Sequence, residues 1–182
     1  MIAVVITKYE RQRIELIAKA RNSAKKPEWS RKKLNSFSDE QMDLLGIRGE
    51  FAAAQYLGTF IDTNVHPHGD NGIDLYFHNK SVSVKYNHRW LGYLIVEARP
   101  NDIPQNGTIH DLQTDIIILT HGKCKPPTRC LCNEPGGLVV VVSGWLYKHE
   151  FLNKMHTTDW GIGPKYFCKT SDLHPIHSIW EI

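Results

Sequence analysis

Gly72-Ile-Asp-Leu-Tyr-Phe-His-Asn-Lys-Ser-Val-Ser-Val-Lys-Tyr86 is the stretch whose reading decides the fold. Residues 72–77 and 81–86 each alternate apolar and polar side chains with period two, the pattern of strands that bury one face. With Asn79-Lys80 as a two-residue turn, His78 faces Ser81 and the strands form a hairpin; Asn suits the positive φ that such a turn demands. This register sets Asp74 opposite Lys85 and Tyr76 opposite Ser83, and directly opposed residues project to the same face. Ile73, Leu75, Phe77, Val82 and Val84 take the other face as core. By itself the Asp74–Lys85 pair reads as a cross-strand salt bridge, worth roughly 0.2–1 kcal/mol.

The residues before the hairpin give that pair a neighbour. Ser38-Asp-Glu-Gln41 has the spacing of a capping box, so a helix is expected over 39–57, with Leu44, Ile47, Phe51 and Ala54 as its apolar stripe and Gly58 as its stop. Within it, Gly46-Ile-Arg-Gly49-Glu50-Phe-Ala-Ala-Ala54 surrounds Glu50 with small residues at i−4, i+3 and i+4. Small neighbours let the helix approach another backbone closely and hold a carboxylate beside the sheet. An earlier capping box, Thr7-Lys-Tyr-Glu10, starts a helix over 8–24 with Ile14, Ile17 and Ala18 inside, ended by Lys25-Lys-Pro27.

Beyond the hairpin, residues 93–98 read as a third strand. Residues 115–120 and 138–142 are continuous apolar runs, expected of central strands covered on both faces. Residues 147–154 form a short helix, and the tail from 165 to 182 holds one edge strand, since Pro175 interrupts it. The whole reads as α/β with a mixed central sheet.

At 182 residues, 41% hydrophobic and 23% charged, the composition is that of one globular domain, which excludes a disordered or fibrous chain. No apolar run approaches the roughly 18 residues of a membrane span, so no membrane partner is expected. The opening Met1-Ile-Ala-Val-Val-Ile6 is apolar but lacks a preceding basic region and a small-residue cleavage site, so it reads as no signal peptide and the expected location is cytoplasmic, in a bacterium or a phage-infected host.

Charge is uneven. Residues 1–33 hold ten basic and three acidic side chains, net +7, while the rest of the chain is −4. Such a segment suits a polyanion, with Arg11, Arg13, Lys25, Lys26, Arg31, Lys32 and Lys33 as backbone-gripping candidates; the competing reading is a solvated helix face. His88 and Arg89, just past Lys85, are further phosphate contacts. Cys124, Cys130 and Cys132 fall within nine residues and Cys168 follows. In a reducing compartment such a cluster reads as a structural Zn²⁺ site, with His121 or His174 able to replace one ligand; the bland reading is four separate thiols. His66-Pro-His68-Gly-Asp70 reads either as a metal cluster or as a polar loop leading into the hairpin.

A helix with Gly-x-x-Gly-Glu50-x-Ala-Ala, then Gly72-Ile-Asp74-Leu, then Val82-x-Val84-Lys85 resembles the PD-(D/E)XK nuclease superfamily over about residues 39–120. The later Gly144-Trp-Leu-Tyr-Lys-His-Glu-Phe151 and Asp172-Leu-His-Pro175 resemble its small phage-type members. The resemblance implies a restriction-endonuclease-like αβββαβ core with a central mixed sheet (39–120), here with a basic N-terminal helical extension (1–37) and a Cys-rich loop (121–137). It implies a metal-dependent deoxyribonuclease, an endonuclease hydrolysing phosphodiester bonds of duplex or branched DNA with Mg²⁺ or Mn²⁺, and a homodimer, since many such nucleases pair to cut two strands. By position, Asp74 and Glu50 would bind the metal and Lys85 would orient the attacking water. Hard Mg²⁺ takes carboxylate oxygens and keeps several waters, so two or three acids suffice.

One departure stands out: Ser83 occupies the place where the resemblance implies an acid. Glu97 is the expected substitute, facing Ser83 if strands 81–86 and 93–98 pair; Asp62 and Asp70 are further donors. The alternatives are a catalytically inactive relative that binds nucleic acid, and a zinc-stabilised interaction module.

Overall fold

The computed structural model describes residues 1–24, 38–64, 72–88, 92–98, 101–104, 109, 112–122, 138–159 and 163–182. The Cys124, Cys130 and Cys132 cluster, the His66–Asp70 loop, Lys25, Lys26, Arg31, Lys32, Lys33 and Arg89 lie outside the described residues.

The elements run β1 (Ile2–Ile6), α1 (Lys8–Ala24), α2 (Asp39–Leu57), β2 (Leu75–Phe77), β3 (Lys80–Asn87), β4 (Leu94–Glu97), β5 (Ile116–Gly122), β6 (Leu138–Tyr147), α3 (Lys148–Lys154), β7 (His156–Asp159), β8 (Pro164–Cys168) and β9 (His174–Pro175). Both expected helices form with their capping boxes. The Thr7 amide donates to Glu10 Oε2 at 2.7 Å and the Glu10 amide to Thr7 Oγ1 at 3.3 Å. Ser38 and Gln41 exchange the same two bonds, and Gly58 ends α2 at φ 64°.

The main sheet is mixed, in the order β1-β6-β5-β3-β2, with β9 added alongside β6. Among the described strands of this sheet, only β3 and β5 pair in parallel. All seven residues of β5 are buried, as its unbroken apolar run requires. Alternation along the strands divides the interior in two. Val82, Val84, Ile116, Ile118, Val140, Val142 and Trp145 pack under α1 and α2, whereas Ile117, Leu119 and Leu146 join Leu94, Val96, Phe151 and Tyr166 on the opposite face. A smaller sheet, β4-β8-β7, and α3 supply that second layer.

The structure corrects four expectations. The hairpin turns at His78-Asn79, both at positive φ (47° and 63°), so Phe77 pairs with Lys80 and Leu75 with Val82. Two consecutive positive-φ residues make the twist that suits a hairpin, which Lys80 at the turn would have opposed. The pairing therefore slips by two residues; the faces are kept, but Asp74 comes opposite Ser83, not Lys85. Second, β4 does not join the main sheet. The far edge of β3 is taken by β5, and β4 pairs instead with β8, Glu97 opposite Lys165. None of the described residues between β4 and β5 is α-helical. Third, the tail provides the central strand of the small sheet (β8) as well as a short partner for β6 (β9). Fourth, residues 2–6, assigned no element from sequence, form β1 at the sheet edge.

Two glycines are required by close approach. A Cβ on Gly144 would lie 2.7 Å from the His174 carbonyl oxygen and 2.8 Å from Leu173 Cβ, where β9 crosses. A Cβ on Gly49 would overlap Thr120 Oγ1 and lie 3.1 Å from Tyr86 Cδ2. Gly49 is thus the point where α2 presses on β3 and β5. Gly49→Ala is expected to cost about 1–3 kcal/mol of unfolding free energy by overpacking, measured by urea denaturation; unchanged stability would show that α2 can withdraw from the sheet.

Candidate active site

Asp74 precedes the first residue of β2 and is buried, 7% exposed. Its amide donates to the Val82 carbonyl at 2.9 Å. Its carboxylate Oδ2 accepts the Val84 amide at 2.6 Å and the Ser83 hydroxyl at 3.4 Å. A side-chain carboxylate thus takes the acceptor place that a strand carbonyl would otherwise fill. The buried Ser83, at the position where an acid is expected, supports this carboxylate. Lys85 lies two residues farther along β3 on the same face, about 7 Å on by strand geometry, and is half-buried.

On its other side Asp74 has a second strand-like neighbour. Ile61 forms an antiparallel bridge with Leu75, and the Asp62 amide donates to the Asp74 carbonyl at 3.0 Å. Asp62 therefore stands opposite Asp74, and opposed residues share a face. Its Oδ1 accepts the Asn64 amide at 2.9 Å, an Asx turn. Asp62, Asp74 and Ser83 form one row across the sheet edge, with Lys85 one step off. Two hard carboxylates suit Mg²⁺ or Mn²⁺, which can complete their shell with water. Among the described residues, no three His, Cys, Asp or Glu side chains gather into a metal cage.

Glu50 arrives from the other side. It is buried, and α2 packs on the face of Val82 and Val84, away from Ser83 and Lys85. Arg21 Nη1 donates to both carboxylate oxygens of Glu50 at 3.0 Å, and Arg21 Nη2 donates to the Asp62 carbonyl at 2.6 Å. Glu50 is therefore coupled to the main chain of Asp62 through Arg21. Continuing the strand registers places Asp74, Lys85 and Asp62 on one face; Glu50 is linked to them indirectly, through Arg21. Arg21 was legible: with Ile14, Ile17 and Ala18 it completes one helical stripe at i+7, i+4 and i+3, and a lone cation on an apolar stripe calls for a buried anion.

Glu97 is excluded from this group. It lies in the small sheet, half exposed at 51%, and accepts Lys165 Nζ at 3.0 Å. Of the expected phosphate contacts that are described, Arg13 is exposed and Arg11 and His88 are half-buried. Cys168 is fully buried in the second core, its thiol directed at the Phe151 carbonyl at 3.8 Å. Burial pushes this thiol up to about 12, which favours the protonated form. His174 Nε2 lies 2.8 Å from Glu150 Oε1. Burial raises the Glu150 carboxyl, but the Tyr147 amide and His174 outweigh it and hold the group below its ordinary value. Burial also holds His121 below its ordinary value.

Asp115 was not anticipated. Its Oδ2 accepts the Ser81 hydroxyl at 2.7 Å and the Ser81 amide at 2.8 Å, bonds that hold its carboxyl below the usual range. It clamps the start of β5 to the start of β3, and so fixes the parallel register behind Lys85.

Removing Arg21 would take two charge-assisted hydrogen bonds from a buried carboxylate. Arg21→Met is expected to lose about 3 kcal/mol or more in urea unfolding, with Glu50→Gln in the same chain restoring much of it. Equal stability of Arg21→Met and the unaltered chain would remove this pair from the support of the site. No family model, no curated protein and no solved structure matches the chain.

Proposed function

We propose that the protein is a divalent-metal-dependent nuclease that hydrolyses DNA phosphodiester bonds. The observation that carries this reading is the row at the sheet edge: paired carboxylates at Asp62 and Asp74, with the ammonium of Lys85 on the same face of the adjoining strand. Asp62 takes the part first assigned to Glu97, and Glu50 acts as a positioning residue through Arg21. A hard cation held by Asp62 and Asp74 would supply Lewis-acid stabilisation of the phosphate and a more acidic water. Lys85 adds positive charge where the phosphate gains negative charge during in-line attack. The exposed Lys8, Arg13 and Lys19 of α1 add sequence-independent attraction for the backbone. Resemblance to the PD-(D/E)XK superfamily supports the same reading through Gly49-Glu50, Asp74 and Lys85.

A second reading has its own support. Ser83 stands where an acid is expected, and Glu50 is committed to Arg21. Both favour a non-catalytic relative that binds nucleic acid. The two readings part on turnover. The nuclease reading expects nicking of supercoiled plasmid with Mg²⁺ or Mn²⁺ and none with EDTA. Asp74→Asn keeps an acceptor for the Val84 amide; it and Lys85→Met should each lower the rate by about a hundredfold or more. Salt-sensitive binding with no cleavage under either metal would establish the second reading, and full cleavage by both variants would overturn the first.

A further inference from the structure

Beyond the carboxylate row, the same edge carries two largely exposed aromatic rings. One step outward from the Ile61–Leu75 bridge, Phe60 stands opposite Tyr76, and the Thr59 hydroxyl bonds the Tyr76 carbonyl at 3.0 Å to hold the segments together. Phe60 is 89% exposed and Tyr76 is 60% exposed. Trp180 packs on Phe77 and Tyr56, and Tyr93 on Phe167; Tyr9 of α1 is also exposed, at 70%, but has no aromatic opposite it on a neighbouring strand. Neither Phe60 nor Tyr76 touches another ring among the described residues.

By strand alternation the two rings share a face with Asp62 and Asp74, each two residues away along its own segment. Opposed side chains leave their backbones about 5 Å apart, so the rings make one platform beside the carboxylates and Lys85. A phosphodiester strand whose backbone lies over Lys85 and the carboxylate row would carry its bases across this platform. In a duplex, base faces are hidden by stacking and pairing, and only an unpaired base offers a free π-face to such rings. We infer that Phe60 and Tyr76 stack on an unpaired base, so that the preferred substrate is single-stranded or locally unwound DNA. This rests on the nuclease reading for its catalytic meaning.

The test measures binding without metal or cleavage. In EDTA at low salt, anisotropy of a fluorescein-labelled oligodeoxythymidylate is compared with that of a duplex of equal length. The single strand should bind more tightly. Phe60→Ala and Tyr76→Ala should each weaken it by about fivefold to a hundredfold, and leave duplex binding unchanged. Tyr76→Phe should bind as the unaltered chain does, since the stacking face is kept. Circular dichroism melting of the exposed variants should match the unaltered chain.

Single-strand binding at full strength in the Phe60→Ala, Tyr76→Ala double variant would overturn the inference. So would a dimer in sedimentation that the double variant turns to monomer, because the rings would then cover a second copy. Stacking-dependent binding in a chain that never cuts with Mg²⁺ or Mn²⁺ would sink the nuclease reading alone. Cutting that is indifferent to both rings would sink the platform alone.

Discussion

The amide of Val84 donates to a carboxylate and not to a carbonyl. That single bond, 2.6 Å to Asp74 Oδ2, organises the edge of the sheet. β2 is only three residues long, and its ladder would end at Leu75. The side chain of Asp74 extends the pairing by another step, while its carbonyl accepts the Asp62 amide on the other side. A buried acceptor lost here would leave a strand amide unpaired, at a cost of about 1–3 kcal/mol. The same contact sets the distance between Asp74 and Lys85 along β3. The acid is therefore a structural member of the hairpin as well as the centre of the candidate site.

The support behind that edge is layered. Asp115 clamps β5 to β3 through Ser81, and Gly49 lets α2 lie directly on Tyr86 and Thr120. The close approach buries Glu50 where water cannot solvate it. Arg21 answers with two bonds to Glu50 and a third to the Asp62 carbonyl. A charged group far from Asp74 in sequence thus holds the main chain that faces Asp74. This arrangement explains why a cation sits on the apolar stripe of α1, a position that otherwise belongs to the core.

Several features were readable from local chemistry. Both long helices follow from capping boxes and 3.6-residue periodicity, and their ends agree with the expected ones. The faces of the hairpin follow from period-two alternation, which a slip of two residues leaves untouched. For that reason Asp74 and Lys85 fall on the same face although they are not directly paired. The turn itself was harder: His78-Asn79 and Asn79-Lys80 both contain an Asn fit for positive φ, and the choice between them depends on how the strands pair. Cys168, read as a possible thiolate ligand, lies in apolar surroundings built by β4, α3 and β8 together, which spacing in the sequence does not show.

Sequence alone determined that the chain has a mixed α/β core, a basic first helix, and an acid and an amine on one side of a hairpin. These depend on propensity, capping and alternation, which act over a few residues. Tertiary structure alone decided that Glu97 leaves for a second sheet, that Asp62 takes the rung beside Asp74, and that Arg21 claims Glu50. Those choices depend on which strand wins the free edge of β3 and which charges must be neutralised once buried. Such competition is settled by contacts between residues tens of positions apart; the stripe of α1 shows that Arg21 calls for an anion, but not which one.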